Sequence, residues 1–168
     1  MFASFDPAAR RAVIRAGRLA AEHGRRELDT EFLLLALTET RAVDGVTADA
    51  VRARIPGPTD RELLATLGID VVPPPLEDLG TWRLQRSPLR PLRVTLTGPA
   101  TDLPLAMQAR KAVEVAQYYA KREDGQVTPP HLVLGLLADR RSESVRILHR
   151  LGADLRALWG RQLPRTAA

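Results

Sequence analysis

The sequence predicts an all-α protein assembled from two copies of one helical unit, joined by a long non-helical connection. Three observations carry this. The phrase Ala9-Arg10-Arg11-Ala12-Val13 returns 100 positions later as Ala109-Arg110-Lys111-Ala112-Val113, and Ala16 and Ala20 return as Ala116 and Ala120. Two further phrases keep the same order: Phe32 to Leu37 is echoed by His131 to Leu136, and Leu64-Ala65-Thr66-Leu67-Gly68-Ile69-Asp70 by Leu148-His149-Arg150-Leu151-Gly152-Ala153-Asp154. Ordered self-similarity of this kind is the mark of a duplication. Finally, residues 71–103 are rich in Pro and Arg and lack helical periodicity, so they read as a connection. The offset falls from about 100 for the first two phrases to 84 for the third, which leaves roughly fifteen extra residues in the first half. The chain therefore divides into a first repeat over about 1–72 with an insertion at 39–62, a linker at 71–103, and a second repeat over about 104–163.

Each element has a local cause. Asp6-Pro7 opens a helix, because Asp accepts from free backbone N–H groups and Pro at the first helical position loses no bond. Ala9, Ala12, Val13, Ala16, Leu19 and Ala20 then share one face, and Gly24 ends the helix. Asp29 and Thr30 offer caps for a second helix whose run Phe32 to Leu37 is apolar on nearly every side, which predicts a central, buried position. Within the insertion a short helix is expected over Ala48 to Ile55, stopped by Pro56-Gly57-Pro58. Thr59-Asp60-Arg61-Glu62 is a capping box for another, ending at Gly68. The second half predicts helices near Leu105 to Arg122, Pro129 to Ala138, Ser142 to Leu151 and Leu155 to Gln162, the last capped by Asp154. In the first half the counterpart of that last helix runs into Pro73-Pro74-Pro75 and is expected to be shortened or lost, leaving at most a turn at Leu76 to Leu79. Leu92 to Thr97 is the one plausible strand of the linker.

Composition narrows the function classes. The 168 residues suffice for a single domain with a real core, and 45% of them are apolar with no run long enough to span a membrane. No signal segment is evident at the start, and the cytoplasm is the expected compartment. Without cysteine there are no disulfides, thiolate nucleophiles or Cys-based zinc sites. His23, His131 and His149 lie far apart without ligand spacing, so no metal is expected. No phosphate-cradling Gly-rich loop with its Lys occurs, and Ser4, Ser87, Ser142 and Ser144 sit in no nucleophile context. The chain is expected to need no cofactor and to be no enzyme. Its formal charge of +5 comes almost wholly from arginine. Arg83, Arg86, Arg90 and Arg93 form the one local excess and read as a solvated strip in the linker.

Met1-Phe2-x-x-Phe5, the doubled Ala-Arg-x-Ala-Val phrase, Thr30-Glu31-Phe32-Leu33-Leu34 and the Leu-Gly-x-Asp close of each half resemble the double repeat of the N-terminal domain of Clp-type AAA+ unfoldases, most nearly the ClpC kind. The resemblance covers the chain apart from the insertion and linker. It implies a compact domain of two four-helix repeats related by a pseudo-twofold axis, which in the family sits above the ATPase ring and receives adaptors and substrates. It also implies two candidate sites. The first is a groove between the repeats that holds adaptors and certain cyclic peptide antibiotics: Phe2 and Arg10 match it, Leu105 stands where an aromatic is usual, and Arg110 stands where a lysine is usual. The second is a phosphoarginine-type site, where Thr30-Glu31 matches in the first repeat but Pro129 and Pro130 replace the pair in the second, removing one glutamate.

The expected function is accordingly a non-catalytic peptide- or protein-binding module whose partners are Clp protease components, adaptors or client peptides. The alternative is a basic helical scaffold that binds nucleic acid through Arg83, Arg86, Arg90 and Arg93. Trp82, Trp159, Tyr118 and Tyr119 read as packing residues.

Overall fold

The computed structural model describes residues 2–57, 60–70, 81–90, 93–99, 101–123 and 125–163. The two long helices that open the repeats are α1 (Pro7–Glu22) and α5 (Met107–Ala120). Asp6 caps α1, its carboxylate accepting from the Ala9 N–H at 2.6 Å. The buried face of α1 carries Ala9, Ala12, Val13, Ala16 and Ala20, and that of α5 carries Ala109, Ala112, Val113, Ala116 and Ala120, as the echo requires. Helices α2 (Thr30–Glu39) and α6 (Pro129–Ala138) follow them, and their apolar runs are buried on all sides. Small residues set the spacing here: a Cβ on Gly135 of α6 would collide with the carbonyl of Ala112, so α5 and α6 meet backbone to backbone.

The repeats are joined by a reciprocal backbone exchange. Phe5 pairs with Val127 and Leu28 pairs with Leu105, both in parallel bridges. The hydrogen bonds repeat accordingly. Asp6 N–H donates to Val127 O at 2.9 Å as Ala106 N–H donates to Leu28 O at 2.9 Å, and Val127 N–H donates to Ser4 O as Leu28 N–H donates to Pro104 O. Since Phe5 and Leu105 are equivalent by the echo, each repeat lends its entry strand to the other. One copy alone would leave these backbone groups unpaired and its apolar second helix uncovered.

The chain is helix-rich, but the expectation of a purely all-α fold is corrected by a three-stranded antiparallel sheet of β1 (Arg83–Arg86), β2 (Val94–Gly98) and β3 (Thr101–Pro104), in the order β1-β2-β3. The expected strand at Leu92 to Thr97 falls on β2. The other two form because Leu84, Leu96 and Leu103 align across the register and enter the core together with Val94 and Trp82. Leu96 lies against Gly17 of α1, where a Cβ would strike its side chain, and the Trp82 ring lies over Gly98.

The insertion carries the expected short helix, which ends at Arg52 and not at Ile55. Helix α3 (Ala48–Arg52) docks on α2: Val51 and Ile55 join the core, and Glu39 at the end of α2 takes Arg15 of α1 at 2.8 Å and Arg52 of α3 at 3.1 Å. Helix α4 (Asp60–Thr66), the sequence echo of α7 (Glu143–Arg150), keeps only the local turn. Gly68 and Gly152 share the left-handed conformation at φ 75° and 72°, and the closing bond from residue 69 to Leu64 O matches that from Ala153 to Leu148 O, both 3.0 Å. Leu148 is buried, whereas Leu63, Leu67 and Ile69 are exposed. Asp154 caps α8 (Leu155–Gln162) as expected, and Ser142, the expected first residue of α7, is its cap. The expected turn at Leu76 to Leu79, and with it the fate of the first repeat's last helix, lies outside the described residues. No helix among the described residues is long and apolar enough to cross a membrane.

Candidate functional site

The seam between the repeats brings Arg10 and Arg110 to equivalent places, one near the start of α1 and one near the start of α5. Both are partly buried, and they are held differently. Arg10 Nη2 donates to the carbonyl of Trp82 at 3.0 Å, which ties α1 to the linker sheet. Arg110 Nη1 lies 3.3 Å from Glu114 Oε1, and Arg86 Nη2 reaches the same oxygen at 3.0 Å. Two guanidinium groups thus share one carboxylate, leaving a local positive excess at the junction of β1 and α5. Leu105 corrects the expected groove lining: it is only 6% exposed and belongs to the core, because its backbone is the strand that pairs with Leu28. The side chain of Phe2 lies outside the described residues, and its backbone forms a 3-10 turn over Phe2–Ser4.

Thr30 and Glu31 open α2 where it meets the start of α7. The Ser144 N–H donates to Thr30 Oγ1 at 3.3 Å, and the hydroxyls of Ser142 and Ser144 bond one another at 3.0 Å, all three residues being buried. Glu31 is 8% exposed, and its Oε2 is buried without a hydrogen-bond partner among the described residues. Burial pushes the Glu31 carboxyl above the usual carboxylate range, and the charges of Asp29 and Glu143 add to the shift. Its own backbone N–H and Arg25 work against it. At the equivalent end of α6 no carboxylate follows the cap. Instead His131 accepts from the Thr128 N–H at Nδ1, 3.1 Å away, and its Nε2 lies 3.1 Å from Glu123. Pro130 stands at the position equivalent to Glu31, and the residue after it, His131, closes the helix start.

Of the linker arginines, Arg83, Arg90 and Arg93 are exposed, while Arg86 is held by Glu114. The aromatic residues pack as expected in part: Tyr119 stands edge-on to Trp159 at 6.1 Å, whereas Tyr118 is half exposed beneath the guanidinium of Arg122 at 4.4 Å. No group of three metal-ligating side chains occurs among the described residues. The sequence marks Trp82 only as a packing residue and Ser144 only as no nucleophile, and it singles out neither Glu114 nor Glu143. The contacts of Trp82 with Arg10 and of Ser144 with Thr30 span long separations that no local spacing announces.

No family model matches this chain, and no curated protein matches it. Solved structures do match. The chain is similar to the N-terminal domain of the caseinolytic protease associated chaperone ClpD from Arabidopsis thaliana, at 22% identity and a TM-score of 0.64, over 96% of this chain and 94% of that one. It is also similar to a chain from preliminary structural investigations of a malarial protein secretion system, at 13% identity and a TM-score of 0.54, over 95% of this chain and 92% of that one. The fold is that of a Clp N-domain.

Proposed function

We propose that this chain is a non-catalytic protein-binding module that either brings clients or adaptors to a Clp protease or sequesters ligands of its unfoldase. One observation carries this: the seam that places Arg10 and Arg110 as equivalents belongs to a fold shared end to end with a chaperone's N-terminal domain. The recognition surface is that seam, lined by the partly buried Arg10 and Arg110 with Leu105 in the core beside them; Phe2, next to the seam in sequence, is its proposed aromatic contact. The guanidinium groups are donors only, which suits exposed peptide carbonyls, including those of cyclic peptides. No bond is made or broken. Thr30 and Glu31 are the remnant of a second site: Thr30 is engaged by Ser144, and the unpartnered oxygen of Glu31 is buried, so a client cation does not reach it in this arrangement. The paired carboxylates of a full phosphoarginine site are lacking at Pro130.

The exposed Arg83, Arg90 and Arg93 favour a second reading, the basic scaffold that binds nucleic acid. Affinity capture from the native host, repeated along a salt series and analysed by mass spectrometry, separates the two. Recovery of Clp subunits, adaptors or their clients with little loss at high salt is expected. Recovery of nucleic acid that falls steeply with salt would overturn the proposal.

A further inference from the structure

The C-terminal helices enclose a cleft of about 560 Å³ between α6, α7 and α8. Its floor is apolar: Leu137 and Val145 are core residues, and Leu155 and Trp159 pack against that core. Trp159 is held by its edge contact with Tyr119, so one wall is a fixed aromatic face. The rim is made by Arg140, His149 and Arg156, all exposed, and the lining includes no acidic residue.

The rim groups differ from the other basic residues of these helices. Arg146 and Arg150 both lie on Glu143, and Arg161 lies 3.7 Å from Asp44. The side chains of Arg140, His149 and Arg156 make no hydrogen bond or ion pair with any described residue. Where a carboxylate is available nearby the arginines of α7 and α8 are paired. At the cleft mouth the two guanidinium groups and the imidazole have no carboxylate partner among the described residues. The charge of Arg140 and Arg156 is complementary to an anion, and the floor beneath them is complementary to an apolar side chain.

We infer that this cleft is a second binding site, and that its occupant is an acidic peptide segment in which a carboxylate stands next to a large apolar side chain. The apolar side chain seats on Leu155 and Trp159, and the carboxylate is met by Arg140 and Arg156, whose planar donors fit it. The volume is in the range of peptide and small-ligand sites. The apolar floor argues against a bare phosphate as the occupant, because a phosphate would leave that surface uncovered. The site rests on the proposed protein-binding function but lies on helices other than those that carry Arg10 and Arg110. Among the described residues the first repeat shows no equivalent, since Leu63, Leu67 and Ile69 of α4 and its closing turn are exposed.

The test uses the whole chain and a fluorescein-labelled peptide of sequence Gly-Ser-Leu-Phe-Glu-Glu-Gly, followed by polarisation and by the two tryptophan indole N–H resonances. Binding should shift the Trp159 resonance and leave that of Trp82 in place. Replacing both peptide glutamates by glutamine, or its Leu-Phe pair by Ser-Ser, should weaken binding. The double variant Arg140→Gln/Arg156→Gln, at an unchanged melting temperature, should weaken it by about tenfold. An Arg110→Gln variant should bind this peptide as the native chain does, which separates failure of this site from failure of the seam. Absence of binding at millimolar peptide, a shift of the Trp82 signal instead, or indifference to the arginine substitutions would overturn the inference.

Discussion

The N–H of Ser144 donates to the Thr30 hydroxyl at 3.3 Å, joining the start of α7 to the start of α2 across 114 positions of chain. Both residues are buried. The bond gives Thr30 a structural duty that its motif does not reveal. Thr30→Val keeps the shape but leaves a buried N–H without its acceptor, and the expected loss is about 1–3 kcal/mol in urea denaturation. Thr30→Ser should retain most of the stability. Equal stability of the native chain and Thr30→Val would show that the bond contributes nothing.

Glu31 is predicted to weaken the fold when charged. Its folded carboxyl titrates above the usual range, chiefly through burial, so between the unfolded and folded pKa values the folded state binds more protons than the unfolded one. Stability should therefore fall as pH rises through that window and then level off above it. Glu31→Gln should raise the urea midpoint at neutral pH and lose this advantage below the ordinary carboxylate range. A variant less stable than native at neutral pH would mean that the carboxylate is satisfied in the folded protein.

Two glycines in helix interiors should respond differently to alanine, although both gain helix propensity by it. Gly135 faces the Ala112 carbonyl, which is backbone and cannot move aside, so Gly135→Ala should cost about 1–3 kcal/mol or more. Gly17 faces the tip of the Leu96 side chain, which can change rotamer, and Gly17→Ala should be markedly milder. Thermal melts of the two variants decide the point, and a reversed order would contradict the close approach of α5 and α6.

The helices were legible where local chemistry decides them. Asp6, Asp29, Ser142 and Asp154 sit at helix starts in the sequence and cap helices in the structure. The sheet was legible only at β2, because β1 alternates Leu84 with arginines and glutamine, and its burial depends on Leu96 and Leu103 beside it. The Leu-Gly-x-Asp echo identified a shared turn at Gly68 and Gly152, but turn chemistry does not determine docking, and α3 took the place on α2. The candidate site was legible in part. Arg10 and Arg110 are equivalent as the echo implies, while Leu105 follows Phe5 into the core because both are the pairing strand of the seam. Ser144 and Trp82 could not be found by spacing, since their partners Thr30 and Arg10 lie far away in the chain.

The seam as a protein-binding face is tested most directly by pairing affinity with stability for Phe2→Ala and Arg110→Gln, using the Clp subunit or client recovered by capture from the native host. Both substitutions should leave the melting temperature near that of the native chain, since replacing Arg110 by glutamine removes a charge without setting a second carboxylate beside Glu114, which Arg86 still neutralises. Each should weaken the partner by roughly 1–3 kcal/mol, as for a central anchor of an interface. Unchanged affinity in both variants, or a melting temperature that falls along with the affinity, would contradict the assignment of this seam as the recognition surface.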